Sequence, residues 1–441
     1  MRIQSRKRGW ANGSDMESVG ERRGGPSGPP AVDGVVPRET IEPASAEDIA
    51  STLASAAKQR VSVVIRGGGT KMGWGRTPAS VDILLSTQRL NAIVAHEHAD
   101  LTATVQAGAR LADVNGALAR HGQWLPIDSA FEESTIGGAI ATNDSGPLRH
   151  RYGTPRDLLI GIRLALTDGR LIKAGGNVVK NVAGYDIGKL VSGSHGSLAA
   201  IVSATFKLLP LPGASATLIA TFERADAVVS ALSAMASSQL EASAIEVRSG
   251  PAKAGPSEGV GSSEGIGAGF SRPYRLLLKF ESTPGALNAH VQKARSLIED
   301  ATFDVVFDQS EAALWRGHIR APWTSRGIVV KFAWLPASMG ALLALLDELR
   351  GTAPDVELIG RAAIGSGLLR VDANPLVQRT VIERLRSRTD LLRHVVVLRA
   401  DAKLKQQLDV WGPLGDAGAL GASVKHALDP HGILNAGRGP V

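Results

Sequence analysis

Cysteine is absent from the 441-residue chain, and aromatic residues are few: seven tryptophans, three tyrosines and eight phenylalanines. Without cysteine the chain has no disulfide bond, no thiolate nucleophile and no cysteine-ligated zinc. It also cannot hold an iron–sulfur cluster through its own thiolates. Any redox chemistry on this chain therefore needs an organic cofactor.

Long apolar runs are missing as well. No stretch reaches the roughly 20 consecutive apolar residues of a membrane-spanning helix. The basic residues 6–8 are followed by polar residues rather than by the apolar segment of a signal peptide. The net charge of +7, from 49 basic and 42 acidic residues, is scattered and lacks interleaved aromatic residues. These features predict a cytoplasmic protein that binds no nucleic acid.

The length predicts two or three domains, because most domains hold roughly 100 to 200 residues. Changes in composition divide the chain into four parts. They are a disordered, Gly- and Pro-rich tail (1–34), a first folded block (35–212), a second folded block (213–400) and a C-terminal segment (401–441). Within the second block, residues 250–269 are rich in Gly, Ser and Glu, which predicts a mobile loop.

Helix and strand signals alternate through both folded blocks. Ser45 predicts the N-cap of a helix with acidic residues in its first turn and basic residues in its last. Asp168 and Gly169 predict the turn of a hairpin between strands at 159–166 and 171–173. In the second block, strand–helix–strand alternation predicts an antiparallel sheet with helices on one face. We therefore predict an α+β protein.

A glycine-rich turn follows the first predicted strand of the first block, where residues 66–75 read RGGGTKMGWG. Glycines let backbone N–H groups converge without obstruction by Cβ atoms, as in loops that bind phosphate oxygens. The spacing matches neither the Gly-x-Gly-x-x-Gly dinucleotide pattern nor the P-loop. A plain tight turn is the alternative interpretation.

Two further glycine-bearing stretches follow, at 126–146 and at 175–198. In the first of them, Ser134 and Thr135 are placed to cap a short helix whose free N–H groups face an anion together with Gly137 and Gly138. The alternative is a Gly-rich loop that packs closely against a sheet. In the second, Asp186 pairs with a nearby lysine at the surface.

Together these three stretches resemble the FAD-binding domain of the vanillyl-alcohol oxidase and para-cresol methylhydroxylase (PCMH) family, and most closely the FAD-binding subunits of bacterial glycolate oxidases. The resemblance covers residues 35–212, and the terminal residues 435–438 resemble the closing element of the family. It implies a PCMH-type FAD-binding domain of two α/β subdomains, a ferredoxin-like cap of mixed sheet and helices, and a C-terminal segment that returns to the flavin.

The resemblance also implies which residues contact FAD. The first turn and the Ser-Thr-x-Gly-Gly stretch hold the pyrophosphate, residues 143–146 lie near the flavin ring, and Ile201 lies near the adenine. The residues predicted to contact FAD are Gly67, Gly68, Gly69, Thr70, Lys71, Asp128, Ser134, Thr135, Gly137, Gly138, Asn143, Ser145, Gly146, Ile201 and Asn435.

The sequence departs from the family at several of these motifs. The first turn has Thr70 and Lys71 where many members carry the histidine that binds FAD covalently, so we expect non-covalent FAD. His195 and Ala199 stand where larger relatives often have Glu and Gly, and Ala436 replaces Pro. The His-rich Gly-Asp-Gly-Asn stretch that helps related dehydrogenases to bind hydroxy acids is absent.

The function implied by the resemblance is that of a glycolate oxidase or dehydrogenase subunit, which oxidises a short 2-hydroxy acid such as glycolate to glyoxylate. Its implied partners are a larger FAD-bearing sister subunit and an iron–sulfur subunit, which would hold it at the inner membrane peripherally. A free-standing FAD-dependent alcohol or hydroxy-acid oxidase and a non-catalytic flavin-binding scaffold are the alternatives.

Catalytic and metal-binding residues are less well indicated. Arg316 and Arg320 precede a predicted strand, where an arginine could bind a substrate carboxylate, although the end of a surface helix is the simpler interpretation. His96 and His98 alternate on a possible strand and so share one face. We interpret them as solvated surface residues and predict no metal site.

Overall fold

The computed structural model describes residues 30–177, 185–250 and 273–440. Its strands are β1 (Glu39–Ile41), β2 (Val63–Arg66), β3 (Ile83–Ser86), β4 (Ile93–Glu97), β5 (Thr102–Gln106), β6 (Gln123–Trp124), β7 (Leu159–Ala165), β8 (Leu171–Gly175), β9 (Ala200–Lys207), β10 (Leu209–Pro210), β11 (Ala214–Phe222), β12 (Ala244–Ser249), β13 (Tyr274–Ser282), β14 (Thr302–Phe307), β15 (Ile328–Ala333), β16 (Glu357–Arg361), β17 (Ser366–Val371) and β18 (Arg393–Arg399).

The helices alternate with these strands. They are α1 (Ala46–Gln59), α2 (Leu111–Ala119), α3 (Ile136–Thr142), α4 (Arg149–Tyr152), α5 (Pro155–Leu158), α6 (Ile187–Val191), α7 (Ala225–Ala236), α8 (Pro284–Leu297), α9 (Asp308–Thr324), α10 (Met339–Thr352), α11 (Pro375–Ser387), α12 (Ala402–Gln407) and α13 (Ala417–Leu428), with a 3₁₀ turn at Pro336–Ser338. In the described ranges, no helix has both the length and the apolar character needed to cross a bilayer.

Two small sheets and a two-stranded antiparallel pair, β6 with β10, form the first half of the described chain. A parallel sheet has the order β1-β3-β2, and an antiparallel sheet has the order β4-β5-β9-β7-β8. Helix α1 begins as predicted: Ser45 and Asp48 form a reciprocal capping box. Strands β7 and β8 pair as the predicted hairpin around Asp168 and Gly169, and Gly169 has a φ of +86° that favours glycine.

The second half is an eight-stranded sheet in the order β14-β11-β13-β12-β16-β17-β15-β18, in which every neighbouring pair is antiparallel. It consists of two β-α-β-β-α-β units, each ferredoxin-like, joined edge to edge where β12 pairs with β16. The sequence shows no repeat over this region, because the two units share strand order and apolar alternation rather than residue identities.

Strand alternation gives the large sheet two different faces. Along β11, Ala216, Leu218 and Phe222 are buried in the main core against α7, α8, α10 and α11. On the opposite face, Ile219 packs with Trp315 of α9. Four helices therefore cover one face as predicted, while α9, which the helices-on-one-face prediction did not include, lies on the other.

The C-terminal segment returns to the first sheet. Leu434 forms an isolated parallel bridge to Val63 of β2, with Val63 N donating to Ile433 O and Asn435 N donating to Val63 O, both at 2.8 Å. Ile433 and Leu434 are buried in the core beneath α1. The end of the chain thus extends the edge of the sheet whose β2 leads into the glycine turn.

The α+β class and the combination of two small sheets with a ferredoxin-like cap match the prediction. The boundary predicted at residues 212 and 213 falls between β10 and β11. The predicted tail needs a correction at residues 30–34, because Val32 is fully buried against Val64 and Leu84. The remainder of that tail and the predicted mobile loop from residue 251 onward lie outside the described residues.

Candidate functional site

A cavity lies where the glycine turn after β2 faces the start of α3. The segment before β9 and the last residues of the chain close it. The ionisable side chains in its lining are Lys71, His195 and Arg438, and no carboxylate is among the described residues that line it. An anion in this first cavity therefore meets cations and backbone amides, and no carboxylate of the described lining faces it.

Glycines let the turn touch the segment that precedes α3. A Cβ atom on Gly67 would lie 2.1 Å from Thr135 Oγ1, and one on Gly68 would lie 1.7 Å from the carbonyl oxygen of Glu133. A side chain at either position would therefore push the two backbone segments apart. Gly69 has a φ of +77°, so the turn also needs glycine for its conformation.

Helix α3 begins at a capped, glycine-containing end. Thr135 is its N-cap, and Thr135 Oγ1 accepts a hydrogen bond from Gly138 N at 3.3 Å. A Cβ atom on Gly137 would lie 2.8 Å from the Cβ of Ala107, so this glycine allows the helix to pack on the sheet. A Cβ atom on Gly138 would have a single neighbour within 4 Å, Thr135 Oγ1 at 3.2 Å, so this backbone is open toward the cavity.

Lys71 is anchored at the rim of the first cavity. Its Nζ lies 3.0 Å from Asp144 Oδ2 and donates to Ser134 Oγ at 3.2 Å, and its side chain is only 7% exposed. Burial by itself raises the pKa of Asp144, but the charges of Lys71, Lys331 and Arg361 outweigh burial and hold that pKa below its usual value. Lys71 therefore faces an ionised partner.

The end of the chain closes the cavity through hydrogen bonds to the glycine turn. The buried Arg438 guanidinium donates to the carbonyl oxygens of Met72 at 2.6 Å and Trp74 at 2.8 Å. Burial lowers the pKa of Arg438 to about 10, so it remains charged at neutral pH. The Asn435 amide donates to the carbonyl of His195.

His195 has the left-handed φ of +54°, and its ring lies 4.9 Å from that of Trp411. Burial, followed by the charges of Lys331, Arg438 and Lys71, lowers the pKa of His195 to about 3. This imidazole is therefore neutral in the physiological range.

These residues fit FAD. The open backbone at Gly138 leaves space beside the glycine turn, the N–H groups of that turn suit a pyrophosphate, and Lys71 and Arg438 supply positive charge. Ala199 and Ile201 provide an apolar wall for a ring system farther along the same cavity.

A second cavity lies between the large sheet, α9 and the segment around residues 128–149. Trp74 lines both cavities, and it stacks on Trp323 of α9 with ring centroids 5.5 Å apart. A cofactor in the first cavity and a small molecule in the second would therefore both lie beside this tryptophan.

Three basic side chains line the second cavity: Arg149, Lys331 and Arg361. Arg361 donates to the carbonyl oxygens of Ser145 at 2.9 Å and Gly146 at 3.2 Å, which joins the large sheet to this turn. Lys331 Nζ has no hydrogen-bond or ion-pair partner among the described residues. Burial, followed by the charge of Arg361, lowers the pKa of Lys331 to about 8.

A histidine and a glutamate form a buried pair in the wall of the same cavity. His318 Nε2 lies 3.0 Å from Glu246 Oε2, and the two side chains are 1% and 0% exposed. In the described part of the chain, His318 Nδ1 and Glu246 Oε1 have no hydrogen-bond partner. The pair therefore leaves an unpaired proton acceptor, His318 Nδ1, buried in the wall of this cavity.

The structure separates the predicted FAD contacts into groups. Ser134 contacts the first cavity through Lys71, and Asn143 caps the C-terminal end of α3 and accepts a hydrogen bond from Arg156 N at 3.2 Å. The predicted residues that line the first cavity are Gly67, Gly68, Gly69, Thr70, Lys71, Thr135, Gly137, Gly138, Ile201 and Asn435. Those that line the second cavity are Asp128, Ser145 and Gly146.

Asp128 binds the backbone of the 146–148 turn and lines the second cavity, not the predicted FAD position. Its carboxylate oxygens accept hydrogen bonds from Gly146 N at 2.7 Å and Leu148 N at 3.0 Å. Burial raises the pKa of Asp128 to about 6 against the opposing effects of these two hydrogen bonds and of Arg361. Asp128 thus positions the turn between the two cavities.

The two arginines proposed for substrate binding lie elsewhere. Arg316 and Arg320 are exposed, and Arg320 pairs with Glu132 at 3.0 Å. Neither lines the first or the second cavity, because α9 turns His318 and Trp323 inward and these arginines outward. Sequence reasoning missed Lys331, Arg361, Glu246 and His318. The sequence signal that could have identified Lys331 is its position as a charged residue inside the otherwise apolar strand β15.

Comparison with known proteins supports the cofactor assignment. Residues 37–175 match the model of an FAD binding domain. The chain is 36% identical to glycolate oxidase subunit GlcD of Bacillus subtilis over 45% of this chain and 42% of that protein. It is 34% identical to glycolate oxidase subunit GlcE of Escherichia coli over 37% of this chain and 47% of that protein. These matches span less than half the length of either subunit.

A longer match extends over both halves of the chain. D-2-hydroxyglutarate dehydrogenase of Xanthomonas citri is 29% identical over 90% of this chain and 88% of that protein. The solved structure of an alkyldihydroxyacetonephosphate synthase aligns with a TM-score of 0.66 at 18% identity over 90% of this chain and 76% of that one, which shows a shared fold. Residues 37–175 of this chain therefore form an FAD-binding domain.

Proposed function

We propose that this chain is an FAD-dependent oxidoreductase that oxidises the hydroxyl group of a short 2-hydroxy acid in the second cavity. The observation that carries the proposal is Lys331, which has no hydrogen-bond or ion-pair partner among the described residues and lines a cavity that shares Trp74 with the FAD cavity. The named relatives act on glycolate and on D-2-hydroxyglutarate, which are both 2-hydroxy acids.

The basic side chains would bind the substrate carboxylate. Lys331 has all three N–H donors free, and Arg361 uses Nε and Nη2 on backbone carbonyls, which leaves Nη1 for an anion. Holding the carboxylate at these two groups orients the rest of a small substrate toward Trp74. This fixed orientation is how binding energy lowers the barrier of the chemical step.

The His318 and Glu246 pair would take the hydroxyl proton. A glutamate that accepts a hydrogen bond from His318 Nε2 holds the imidazole in the tautomer with a free lone pair at Nδ1. Nδ1 is then the acceptor for the substrate proton, and the glutamate charge stabilises the imidazolium that forms. When bound, FAD supplies the two-electron acceptor for the hydride that leaves the α-carbon.

We further propose that the chain works as a glycolate oxidase subunit, together with a larger FAD-bearing subunit and an iron–sulfur subunit. The similarity to GlcE and GlcD supports this assembly. The absence of cysteine means that any iron–sulfur relay has to lie on another chain. Attachment to the inner membrane would then be peripheral and through the partners.

A free-standing dehydrogenase is the second candidate function. It is favoured by the long match to D-2-hydroxyglutarate dehydrogenase and by the charged cavity that this chain builds from its own residues. A non-catalytic flavin-binding scaffold would have no need for the cavity cations or for the buried His318 and Glu246 pair.

The test is turnover of glycolate, D-lactate and D-2-hydroxyglutarate with an artificial electron acceptor. The purified chain would be assayed alone and after co-expression with the two proposed partner subunits. Activity only in the complex, abolished by His318→Asn in this chain and kept in Arg316→Met, supports the catalytic subunit. Equal activity of the isolated chain supports the free-standing enzyme. A complex that keeps full activity with His318→Asn and Lys331→Met makes this chain a scaffold and overturns the proposal.

A further inference from the structure

Three histidines meet at one edge of the five-stranded sheet. His96 lies on the edge strand β4, His98 on the turn to β5, and His121 on the connection from α2 to β6. One ring nitrogen from each lies within 4.8 Å of the other two. The ring centroids of His98 and His121 are 3.9 Å apart, and those of His96 and His98 are 4.3 Å apart.

Hydrogen bonds fix which nitrogens of His96 and His98 are free. The Gln123 side chain donates through Nε2 to the carbonyl of His98 at 2.8 Å, so its Oε1 is the acceptor that faces His96 Nε2 at 2.9 Å. His98 Nδ1 donates to the carbonyl of His96 at 3.1 Å. These contacts select the tautomers with lone pairs at Nδ1 of His96 and Nε2 of His98.

Among the described residues, no hydrogen-bond donor faces the free ring nitrogens of these three histidines. In the ranges that the structure describes, no side chain donates a hydrogen bond to the free nitrogens of His96 and His98, and the His121 ring has no hydrogen-bond partner. Histidine metal ligands typically donate their other N–H to a carbonyl group, which orients the ring. Both His96 and His98 already have this arrangement.

We propose that His96, His98 and His121 bind one divalent transition-metal ion of the zinc type, with water as the fourth ligand. In a tetrahedral zinc site with bonds of about 2.0–2.1 Å, neighbouring nitrogens lie about 3.3 Å apart. Small rotations of the two exposed rings close the present separations to that value. Three imidazoles and no carboxylate favour zinc or copper over magnesium or calcium.

The ion would link the β4–β5 hairpin to the segment that follows α2. His96 and His98 belong to the β4–β5 hairpin, whereas His121 follows α2 by two residues. None of the three lines the first or the second cavity, so the site is separate from the FAD and substrate positions. Metal binding should therefore stabilise the fold without supplying the redox chemistry.

The test uses the full chain with its FAD, purified with a tag that contains no histidine and freed of metal with a chelator. Zn²⁺ binding is measured by calorimetry, and Co²⁺ is the spectroscopic probe of tetrahedral nitrogen coordination. The variants are His98→Ala and His121→Ala, both at exposed positions, and the matched control is His426→Ala, an exposed histidine on α13.

We expect wild type and His426→Ala to bind one equivalent of Zn²⁺, with a rise in melting temperature that chelation reverses. Each cluster variant should bind more than about 100-fold more weakly, because loss of a ligand costs more than the 10- to 100-fold effect of losing its supporting partner. Absence of a saturable equivalent in the wild type overturns the proposal. Equal binding by His121→Ala and the wild type overturns it as well.

Discussion

Valine at Gly138 would test the pyrophosphate site more directly than valine at Gly68. From sequence alone, both glycines are assigned to the pyrophosphate site and are not distinguished. In the structure, a Cβ atom on Gly68 would meet the Glu133 carbonyl at 1.7 Å, whereas one on Gly138 would meet only a threonine hydroxyl at 3.2 Å. We expect Gly138→Val to fold and to bind FAD at least about tenfold more weakly, and Gly68→Val to lose stability as well.

Flavin absorbance per folded chain and thermal melting separate the two outcomes for the glycine variants. Gly116→Val is the matched control, because a Cβ atom on this α2 residue meets no atom within 4 Å. Its flavin content should equal that of the wild type. Full flavin content in Gly138→Val would contradict the assignment of this backbone to the pyrophosphate.

Lys331 should make substrate binding depend on pH. With a pKa lowered to about 8, it is protonated below that pH and neutral above it, and a substrate carboxylate binds the protonated form. KM should therefore rise as the pH increases through about 8. Lys331→Met should raise KM by about 10- to 150-fold below about pH 8, the value of one charge-assisted hydrogen bond of about 1.5–3 kcal/mol, and by less above that pH, where the wild-type lysine is itself neutral.

Lys331→Arg is the informative companion of this variant, because arginine keeps its charge at all pH values of the assay. Its KM should be flat between pH 7 and about 9, whatever its absolute value. If the wild-type KM does not change across this range, Lys331 does not hold the carboxylate.

At the scale of elements, the returning C-terminal segment should control how tightly the glycine turn holds FAD. Arg438 satisfies the carbonyl oxygens of Met72 and Trp74, and removing it leaves buried acceptors at a cost of about 1–3 kcal/mol each. Arg438→Met should therefore release FAD at least about tenfold faster, measured by recovery of flavin fluorescence on dilution. The exposed Arg316→Met is the arginine control, and equal release rates in both variants would argue against this role.

For the whole molecule, we predict that acid or denaturant releases all of the flavin. The glycine turn has Thr70 and Lys71 in place of the attachment histidine, and the chain has no cysteine. His195, however, lines the first cavity as a neutral imidazole, which is the form that reacts as a nucleophile. Flavin that remained with the precipitated wild-type protein would refute the prediction. If precipitated His195→Ala then retained no flavin, His195 would be the attachment residue.

The predicted parts of the fold and the site are those that short segments specify. The cap of α1 depends on Ser45 and Asp48, three residues apart, and the β7–β8 hairpin depends on Asp168 and Gly169. The glycine turn and Thr135 line one cavity, since each motif carries its own backbone geometry, and their contact with FAD stays a prediction. Asp128 could not be placed from sequence, because its partners Gly146 and Leu148 are about 20 residues away.

By itself, the sequence determined the α+β class, the capped and glycine-rich elements that build the FAD-binding domain, and the need for an organic redox cofactor. Tertiary structure alone decided that Lys331, Arg361 and His318 face one cavity and that Arg316 faces solvent. It also decided that His121 joins His96 and His98. The physical reason is range: capping and turn preferences act over a few residues, whereas these side chains meet through strand order and helix rotation, which depend on packing of the whole chain.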